Sequence, residues 1–260
     1  MKPPKKPLRL FRVSGARYLT PHMIRITLYG EEISAMQAGC EGANCKIFLP
    51  QQYQTFAEFG EQLNDGPRPV VRTYTVRHIR PDIGEMDIDF VDHGEGGPAS
   101  AWARDAKVGS FCGFAGPGTV KVPNFYADRY LIVADMSALP VAAATLEAMP
   151  RDAVGDAFFE VIHPDDIQPI EAPVGIRQHW LTHPSGHAAS AQLISEVQAW
   201  DWPDGIVQTC IAGESSVIKA LRSYINVERG VSKDDCYISG YWKVGLIEDE
   251  HQQMKRVSAE

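Results

Sequence analysis

Hydrophobic and polar positions divide the chain into two halves with different periods. Up to about residue 122, short apolar runs alternate with polar residues at every second position, which is the spacing of half-buried β-strands. Glycine, proline and aspartate separate the runs, and only one clear helix is predicted among them, over Ala99–Lys107. The predicted strands are Leu8–Val13, His22–Leu28, Lys46–Leu49, Val70–Arg77, Asp87–Val91 and Ser110–Ala115. Short strands separated by such turns favour an antiparallel β-barrel.

Beyond the segment Val122–Arg129 the pattern changes to strands that alternate with helices. The predicted strands are Tyr130–Ala134, Ala157–His163, Gln178–Thr182, Val207–Ala212 and Cys236–Ser239. The predicted helices are Ala138–Met149, Ala188–Trp200, Ser215–Arg229 and Leu246–Arg256. This alternation predicts a parallel sheet covered by helices. We therefore expect a β-barrel domain over residues 1–126 and an α/β domain over residues 127–260.

Charge and composition limit the classes of partner. The formal net charge is -8, so no global basic field exists to bind nucleic acid or an anionic membrane. No apolar run has the length of a membrane span, and the basic, proline-containing start lacks the apolar core of a signal peptide. We expect a cytoplasmic protein with no membrane or nucleic-acid partner, and a monomer as the simplest state.

Cysteine and histidine spacing gives no metal site. The 5 cysteines are scattered and form no CxxC pair, which argues against a disulfide framework or an iron–sulfur cluster. His179, His183 and His187 are spaced as on one helix face, but a strand is predicted around His179, and Pro184 and Gly186 would interrupt a helix after it. No resident metal is therefore predicted.

The strand Val70–Arg77 carries the most informative short pattern. Alternation places Arg72 and Tyr74 on one face and Thr73, Thr75 and Arg77 on the other. A fixed cation beside a flat aromatic ring is what a flavin dinucleotide needs, since it combines a diphosphate with a wide planar ring. An edge strand with an exposed arginine and a half-buried tyrosine gives the same four-residue pattern.

A second pattern comes after the strand Asp87–Val91. The chain continues into a glycine-rich turn, and Pro98 suits the first position of the helix that comes next. A strand, a glycine turn and a helix N-terminus together present backbone N–H groups to an anion, and Ser100 can add a hydroxyl. An ordinary Gly-Pro turn before a surface helix is the alternative.

In this order, the two patterns resemble the siderophore-interacting protein family of FAD-dependent ferric reductases, within the ferredoxin-reductase-like group. The family pattern is R-x-Y-T followed by D-F-V-x-H-G-x-x-G-P-A-S-x-W-A, and it is matched by Arg72, Tyr74, Thr75, Asp89, Phe90, Val91, His93, Gly94, Gly97, Pro98, Ala99, Ser100, Trp102 and Ala103. The resemblance implies a flavin on the barrel and a nicotinamide nucleotide on the α/β domain. It implies that Arg72 neutralises a flavin phosphate, that Tyr74 stacks on the ring and that Thr75 hydrogen-bonds its edge. His93 would lie near the nucleotide part of FAD, and residues 97–100 would cradle the diphosphate. The FAD-binding residues implied are Arg72, Thr73, Tyr74, Thr75, Asp89, Phe90, Val91, His93, Gly97, Pro98, Ala99, Ser100, Tyr241 and Trp242.

Two strand ends in the second domain are predicted to bind the nucleotide. Asp135 and Ser137 come after the strand Tyr130–Ala134, where the family reads G-D-E-T-A-L-P-A and this chain has Ala134 and Met136 in place of the glycine and the glutamate. Gly213 and Glu214 resemble the family segment A-G-E-x-S/A. A capped helix start without a ligand is the alternative at the first of these sites, and no full GxGxxG is present.

The C-terminal segment matches the family pattern G-Y-W-R/K-x-G. The resemblance implies that Tyr241 and Trp242 are walls of the flavin cleft and that the next helix returns to the flavin. Lys243 and Lys46 would face an anionic ferric chelate and attract it. Packing of the aromatic residues on the sheet edge, with both lysines solvated, is the alternative.

The implied activity is ferric-siderophore reduction. NADH or NADPH would give a hydride to FAD, and single electrons would then reduce siderophore-bound iron and release Fe(II). The iron is substrate, and no catalytic acid, base or nucleophile is predicted. Two alternatives stay open: a flavin reductase or diaphorase with a protein or quinone acceptor, and a non-enzymatic siderophore-binding flavoprotein. The choice between NADH and NADPH and the class of siderophore also stay open.

Overall fold

A computed structural model describes residues 8–94, 97–184 and 188–246 of the chain. Contacts divide these residues into two compact units, with the division between Val120 and Lys121. In the described ranges, none of the helices has the length and apolar character needed to cross a membrane.

The first unit is a closed six-stranded antiparallel barrel, as the sequence pattern predicted. Its strands are β1 (Arg9–Thr20), β2 (Met23–Tyr29), β3 (Asn44–Phe48), β4 (Val71–Arg80), β5 (Glu85–Val91) and β6 (Phe111–Ala115). They close in the order β1-β2-β5-β4-β3-β6. Alternate side chains fill the interior, and Phe11, Ile26, Ile47, Ile88 and Phe114 are fully buried there. The barrel therefore forms one apolar core of its own.

The unit contains more helix than expected. Besides α3 (Pro98–Asp105), the structure has a short helix α1 (Glu31–Ser34) and a helix α2 (Phe56–Asp65), so the prediction of a single helix was wrong. Thr55 and Glu58 form a capping box at the start of α2, and Phe59 is fully buried beneath it. The T-x-x-E spacing was readable in the sequence, but it lies in a polar stretch with few apolar positions.

Strand β4 also departs from strict alternation. It continues to Arg80 instead of ending at Arg77, and its register against β5 shifts between Val76 and His78. The shift is a bulge that changes which side of the strand the later residues face, and Ile79 packs in the core. The predicted face of Arg72 and Tyr74 lies before the bulge and is unaffected by it.

The second unit is a five-stranded parallel sheet, again as predicted. Its strands are β7 (Arg129–Asp135), β8 (Val154–Val161), β9 (Gly175–Thr182), β10 (Val207–Glu214) and β11 (Cys236–Trp242). Its helices are α4 (Leu139–Ala148), α5 (Ala191–Gln198) and α6 (Ser215–Ser223), which continues as a π-helical turn over Tyr224–Glu228. The sheet order is β11-β10-β7-β8-β9. The predicted helix Leu246–Arg256 lies, after its first residue, outside the described residues.

Candidate functional site

The β3–β4 pair sets which of the predicted side chains share a face. Lys46 lies opposite Thr73 in the register, and Ile47 lies opposite Arg72. The Lys46 ammonium donates a hydrogen bond to the Thr73 hydroxyl. Because opposed residues of paired strands project to the same side, Lys46 and Thr73 share one face, whereas Arg72 and Tyr74 share the other. The predicted cation–aromatic pair is thus brought together on β4.

Three aromatic rings connect the two sequence patterns. The Tyr74 ring lies 4.2 Å from that of Phe90, measured between centroids, and Phe90 lies 5.6 Å from Trp102. Phe90 is buried, and half-buried Tyr74 and Trp102 pack against the same core. Phe90 of β5 therefore supports the Tyr74 ring and joins β4 to helix α3.

Asp92 connects β1, Gly94 and helix α3, although sequence reasoning did not identify it. Its Oδ2 accepts a hydrogen bond from the Tyr18 hydroxyl at 2.7 Å. Its Oδ1 accepts from the Ser100 hydroxyl and from Arg104, each at 3.1 Å, and from the backbone N–H of Gly94 at 3.2 Å. We call these five residues the Asp92 cluster. An aspartate two residues before a glycine is a turn signal that could have identified it.

The Asp92 cluster changes the interpretation of Ser100. This serine is only 2% exposed, and its hydroxyl donates to Asp92. Burial disfavours the charged form of Asp92, but hydrogen bonds from Tyr18, Gly94 and Ser100 and the charge of Arg104 lower its pKa below the ordinary value. Asp92 is therefore a carboxylate at neutral pH, and Ser100 stabilises it.

Other predicted flavin residues occupy different environments. Asp89 forms a bidentate ion pair with Arg25, with N–O distances of 2.7 and 2.8 Å, and so connects β5 to β2. Thr75 is buried, whereas His93 is exposed. A Cβ atom on Gly97 would lie 3.0 Å from the His93 ring, so a larger residue there would require that exposed ring to shift. A direct contact of these residues with FAD stays a prediction.

The parallel sheet reverses its winding between β7 and β10. In open α/β sheets, ligands bind outside the carboxyl ends of the strands at this switch point. Asp135 is the last residue of β7, and Gly213 and Glu214 end β10. Gly213 has a φ of +150°, and a Cβ atom there would meet an Asp135 carboxylate oxygen at 2.6 Å. The structure therefore brings the predicted nucleotide-site residues of the two strand ends together, and glycine is required at 213.

The buried side chain of Asp135 is hydrogen-bonded by Ser137 and Trp242. It is 9% exposed and accepts from the Ser137 hydroxyl at 2.5 Å, the Ser137 N–H at 2.9 Å and the Trp242 indole N–H at 2.7 Å. Burial raises its pKa, and these hydrogen bonds oppose the rise. Trp242, predicted as a flavin wall, is thereby fixed to the end of β7, while the Tyr241 hydroxyl contacts that of Tyr237 at 3.0 Å.

Glu214, at the end of β10, is likewise buried and hydrogen-bonded within the α/β unit. It is 4% exposed and caps α6, accepting from the N–H groups of Ser216 at 2.6 Å and Val217 at 3.0 Å. Its other oxygen accepts from the N–H of Val244 at 3.3 Å. The two carboxylates therefore order the switch point and the segment after β11. Lys243 is half-buried in that segment, and its contact with substrate stays a prediction.

Across the described ranges, histidine, cysteine, aspartate and glutamate form no group of three or more that could hold a metal ion. His187, the last of the three evenly spaced histidines, lies outside those ranges. The thiols of Cys40, Cys45, Cys112 and Cys210 are buried. Burial raises the pKa of each of them, which makes them poor nucleophiles and poor metal ligands.

Comparisons with known proteins agree with this architecture. Residues 127–245 match the model of the siderophore-interacting protein family, and residues 12–121 match that of the siderophore-interacting FAD-binding domain. The ferric vibriobactin reductase ViuB of Vibrio cholerae is 32% identical over 96% of this chain and 94% of its own length. The crystal structure of the siderophore-interacting protein SipS from Aeromonas hydrophila superposes with a TM-score of 0.84 at 30% identity, and the match covers 98% of this chain and 99% of that one. Ferredoxin-NADP⁺ reductase from Plasmodium falciparum shares the fold alone, with a TM-score of 0.63 at 13% identity over 89% of this chain and 95% of that one. On both family models and on identity over nearly its whole length, the chain belongs to the siderophore-interacting protein family and has the ferredoxin-reductase-like fold.

Proposed function

We propose that this protein is an FAD-dependent ferric-siderophore reductase that takes its electrons from NADH or NADPH. The observation that carries the proposal is the Arg72–Tyr74 face of β4, on which Tyr74 is joined through Phe90 and Trp102 to helix α3. The match to an FAD-binding domain and the similarity to ViuB, which is named a ferric vibriobactin reductase, support it.

The residues of the barrel fit FAD in two respects. Arg72 carries a guanidinium, which suits a phosphate, on the same face as the half-buried ring of Tyr74. Helix α3 begins after Gly97 without a side-chain cap, so its first N–H groups suit an anion. Arg72 and the start of α3 would hold the diphosphate, and Tyr74 would hold the ring.

The remaining chain supplies orientation and charge. Bound FAD would itself supply the redox chemistry, because flavins accept two electrons together and release them singly. Lys46 and Lys243 would attract an anionic ferric chelate through local positive charge on a chain of net charge -8. Asp135 and Glu214 would keep the switch point in shape for the nicotinamide nucleotide, with Ser137 beside it.

A spectroscopic series on the purified protein tests the proposal. Bound oxidised flavin is expected to absorb near ~450 nm, as flavins do. Under anaerobic conditions, NADH or NADPH should bleach this band, and a ferric catecholate or hydroxamate chelate should restore it while an Fe(II)-specific dye records ferrous iron. The variant Tyr74→Ala, which removes the stacking ring, should bind FAD more weakly.

Each failure has its own meaning. A colourless protein that cannot be reconstituted with FAD would refute the proposal entirely. Failure of both nucleotides to bleach the flavin would refute the nicotinamide donor, and reduced ferredoxin would then be tested. Reoxidation of the flavin by a quinone and not by ferric chelates would identify a diaphorase. Siderophore binding without any reduction of iron would identify a non-enzymatic binding protein.

A further inference from the structure

We propose that Asp92 is a positioning residue for FAD binding, because it fixes Gly94 and the start of helix α3, whose N–H groups would receive the flavin diphosphate. The inference rests on the proposed function and assigns a role to a residue at a variable position of the family pattern.

The contacts of Asp92 come from three separate elements. Tyr18 donates from β1, Gly94 from the turn itself, and Ser100 and Arg104 from α3. Arg104 also donates to the Gly94 carbonyl at 2.6 Å. One carboxylate therefore connects strand β1, Gly94 and helix α3.

The way in which Ser100 is bound matters for the helix start. Asp92 accepts from the hydroxyl of Ser100, and Gly97, at the N-cap position, provides no side-chain cap. Asp92 thus holds the first turn of α3 through the Ser100 side chain and leaves the N–H groups there without a side-chain cap. Those groups are the ones that would bind a phosphate.

The charge of Asp92 and its positioning role predict opposite changes in FAD affinity when Asp92 is replaced. A carboxylate near a diphosphate repels it, so loss of the Asp92 charge would strengthen FAD binding if electrostatics decided the outcome. Loss of the contacts that fix Gly94 and the start of α3 would weaken FAD binding, because the free energy of ordering these residues would then be required on binding. The direction of the change in affinity therefore separates the two effects.

The experiment compares three variants of the cluster with one charge-matched control. Asp92→Asn removes the charge, Asp92→Ala also removes all acceptors, and Tyr18→Phe removes one hydrogen bond with no change of charge. The control, Asp105→Asn, removes an exposed carboxylate from the end of helix α3, the helix that carries Ser100 and Arg104. Dissociation constants for FAD and for riboflavin, which has no phosphate, are measured by flavin fluorescence. The ³¹P spectrum of bound FAD and thermal unfolding of the FAD-free proteins complete the series.

We expect Asp92→Ala to weaken FAD binding about tenfold or more, since it removes hydrogen bonds to a charged group. Asp92→Asn and Tyr18→Phe should weaken it less, with shifted ³¹P resonances, while riboflavin affinity stays constant. Asp105→Asn should leave both flavins unaffected.

Unchanged or tighter FAD binding by Asp92→Ala would overturn the inference. Equal weakening for FAD and riboflavin, or an unfolded FAD-free variant together with normal FAD binding by Tyr18→Phe, would reduce Asp92 to a general structural role and also overturn it. A wild-type protein that does not bind FAD would instead refute the proposed function.

Discussion

Trp242 donates its indole N–H to the buried carboxylate of Asp135, with 2.7 Å between the two atoms, across a sequence separation of 107 residues. The contact fixes the end of β11 to the end of β7. Ser137 binds the same carboxylate, so the turn after β7 and the strand β11 share one buried acceptor.

Replacement of Trp242 by phenylalanine should destabilise the α/β unit. The buried carboxylate of Asp135 would lose a donor, and we expect a loss of about 1–3 kcal/mol in the free energy of unfolding. Urea unfolding at neutral pH measures it. Trp180→Phe is the control. The Trp180 ring packs on that of Phe159, with 4.7 Å between the centroids, so this variant measures the effect of a smaller ring where Asp135 is not the partner. Equal losses in the two variants would contradict the importance of the hydrogen bond.

The barrel should lose stability in acid because of Asp87. Burial opposes its ionisation, but hydrogen bonds from Arg80, His78 and Thr27 hold its pKa far below the ordinary range. An acid whose pKa is lower in the folded than in the unfolded protein stabilises the fold at pH values above its unfolded-state pKa. That stabilisation is lost as the pH falls from the unfolded-state pKa through the folded-state pKa. We expect the free energy of unfolding to begin falling below about pH 4.

The substitution Asp87→Asn tests this assignment. It should cost about 2–4 kcal/mol at neutral pH, because Arg80 loses its buried partner, and it should flatten the acid dependence. Asp82→Asn, at an exposed position in the turn after β4, should change neither property. Urea unfolding at several pH values measures both, and an unchanged acid dependence would contradict the role of Asp87.

Glu160 should favour NADH over NADPH at the proposed nucleotide site. It lies opposite Asp135 near the carboxyl end of β8, and its buried Oε2 has no hydrogen-bond partner within the part of the chain that the structure describes. An acidic group near this position in such sheets accepts from a ribose hydroxyl and repels a 2′-phosphate.

Glu160→Gln should therefore improve binding of 2′,5′-ADP relative to 5′-AMP by about tenfold, a change of ~1.4 kcal/mol. Asp165→Asn removes an exposed carboxylate shortly after β8 and should leave the ratio unchanged. Calorimetric titration of the two nucleotides provides the ratio without any turnover. Wild-type protein that prefers 2′,5′-ADP would contradict the prediction.

Thiol reagents should distinguish Cys236 from the other cysteines. Cys236 is half-buried, whereas the other four thiols are buried. Burial raises the pKa of Cys236 as well, and it raises the pKa of Cys40 and of Cys210 to about 11, so the difference in reactivity comes mainly from access. We expect the native protein to react slowly and mainly at Cys236, and all 5 thiols to react after denaturation. Mass spectrometry after timed labelling checks this, and fast native labelling of Cys45 or Cys112 would contradict the burial.

The sequence predicted the elements well where the physical signal is local. Alternation at every second position identified the barrel strands, and the Arg72–Tyr74 face follows from that period on one strand. The T-x-x-E cap of α2 was equally local, but few apolar positions accompany it, so the helix was missed. The position of Asp135 at a strand end was likewise predictable from the chain.

Tertiary structure decided which partners those residues have. The bulge in β4, the Asp92 cluster and the Asp135–Trp242 contact each depend on strand register or on residues far apart in the chain. Ser100 is an example: the sequence identified a hydroxyl at a helix start, whereas the fold buries it against Asp92. A periodic pattern reports how a segment folds, because its cause lies within a few residues. The identity of a hydrogen-bond partner depends on which elements the fold brings together, and that information is not local.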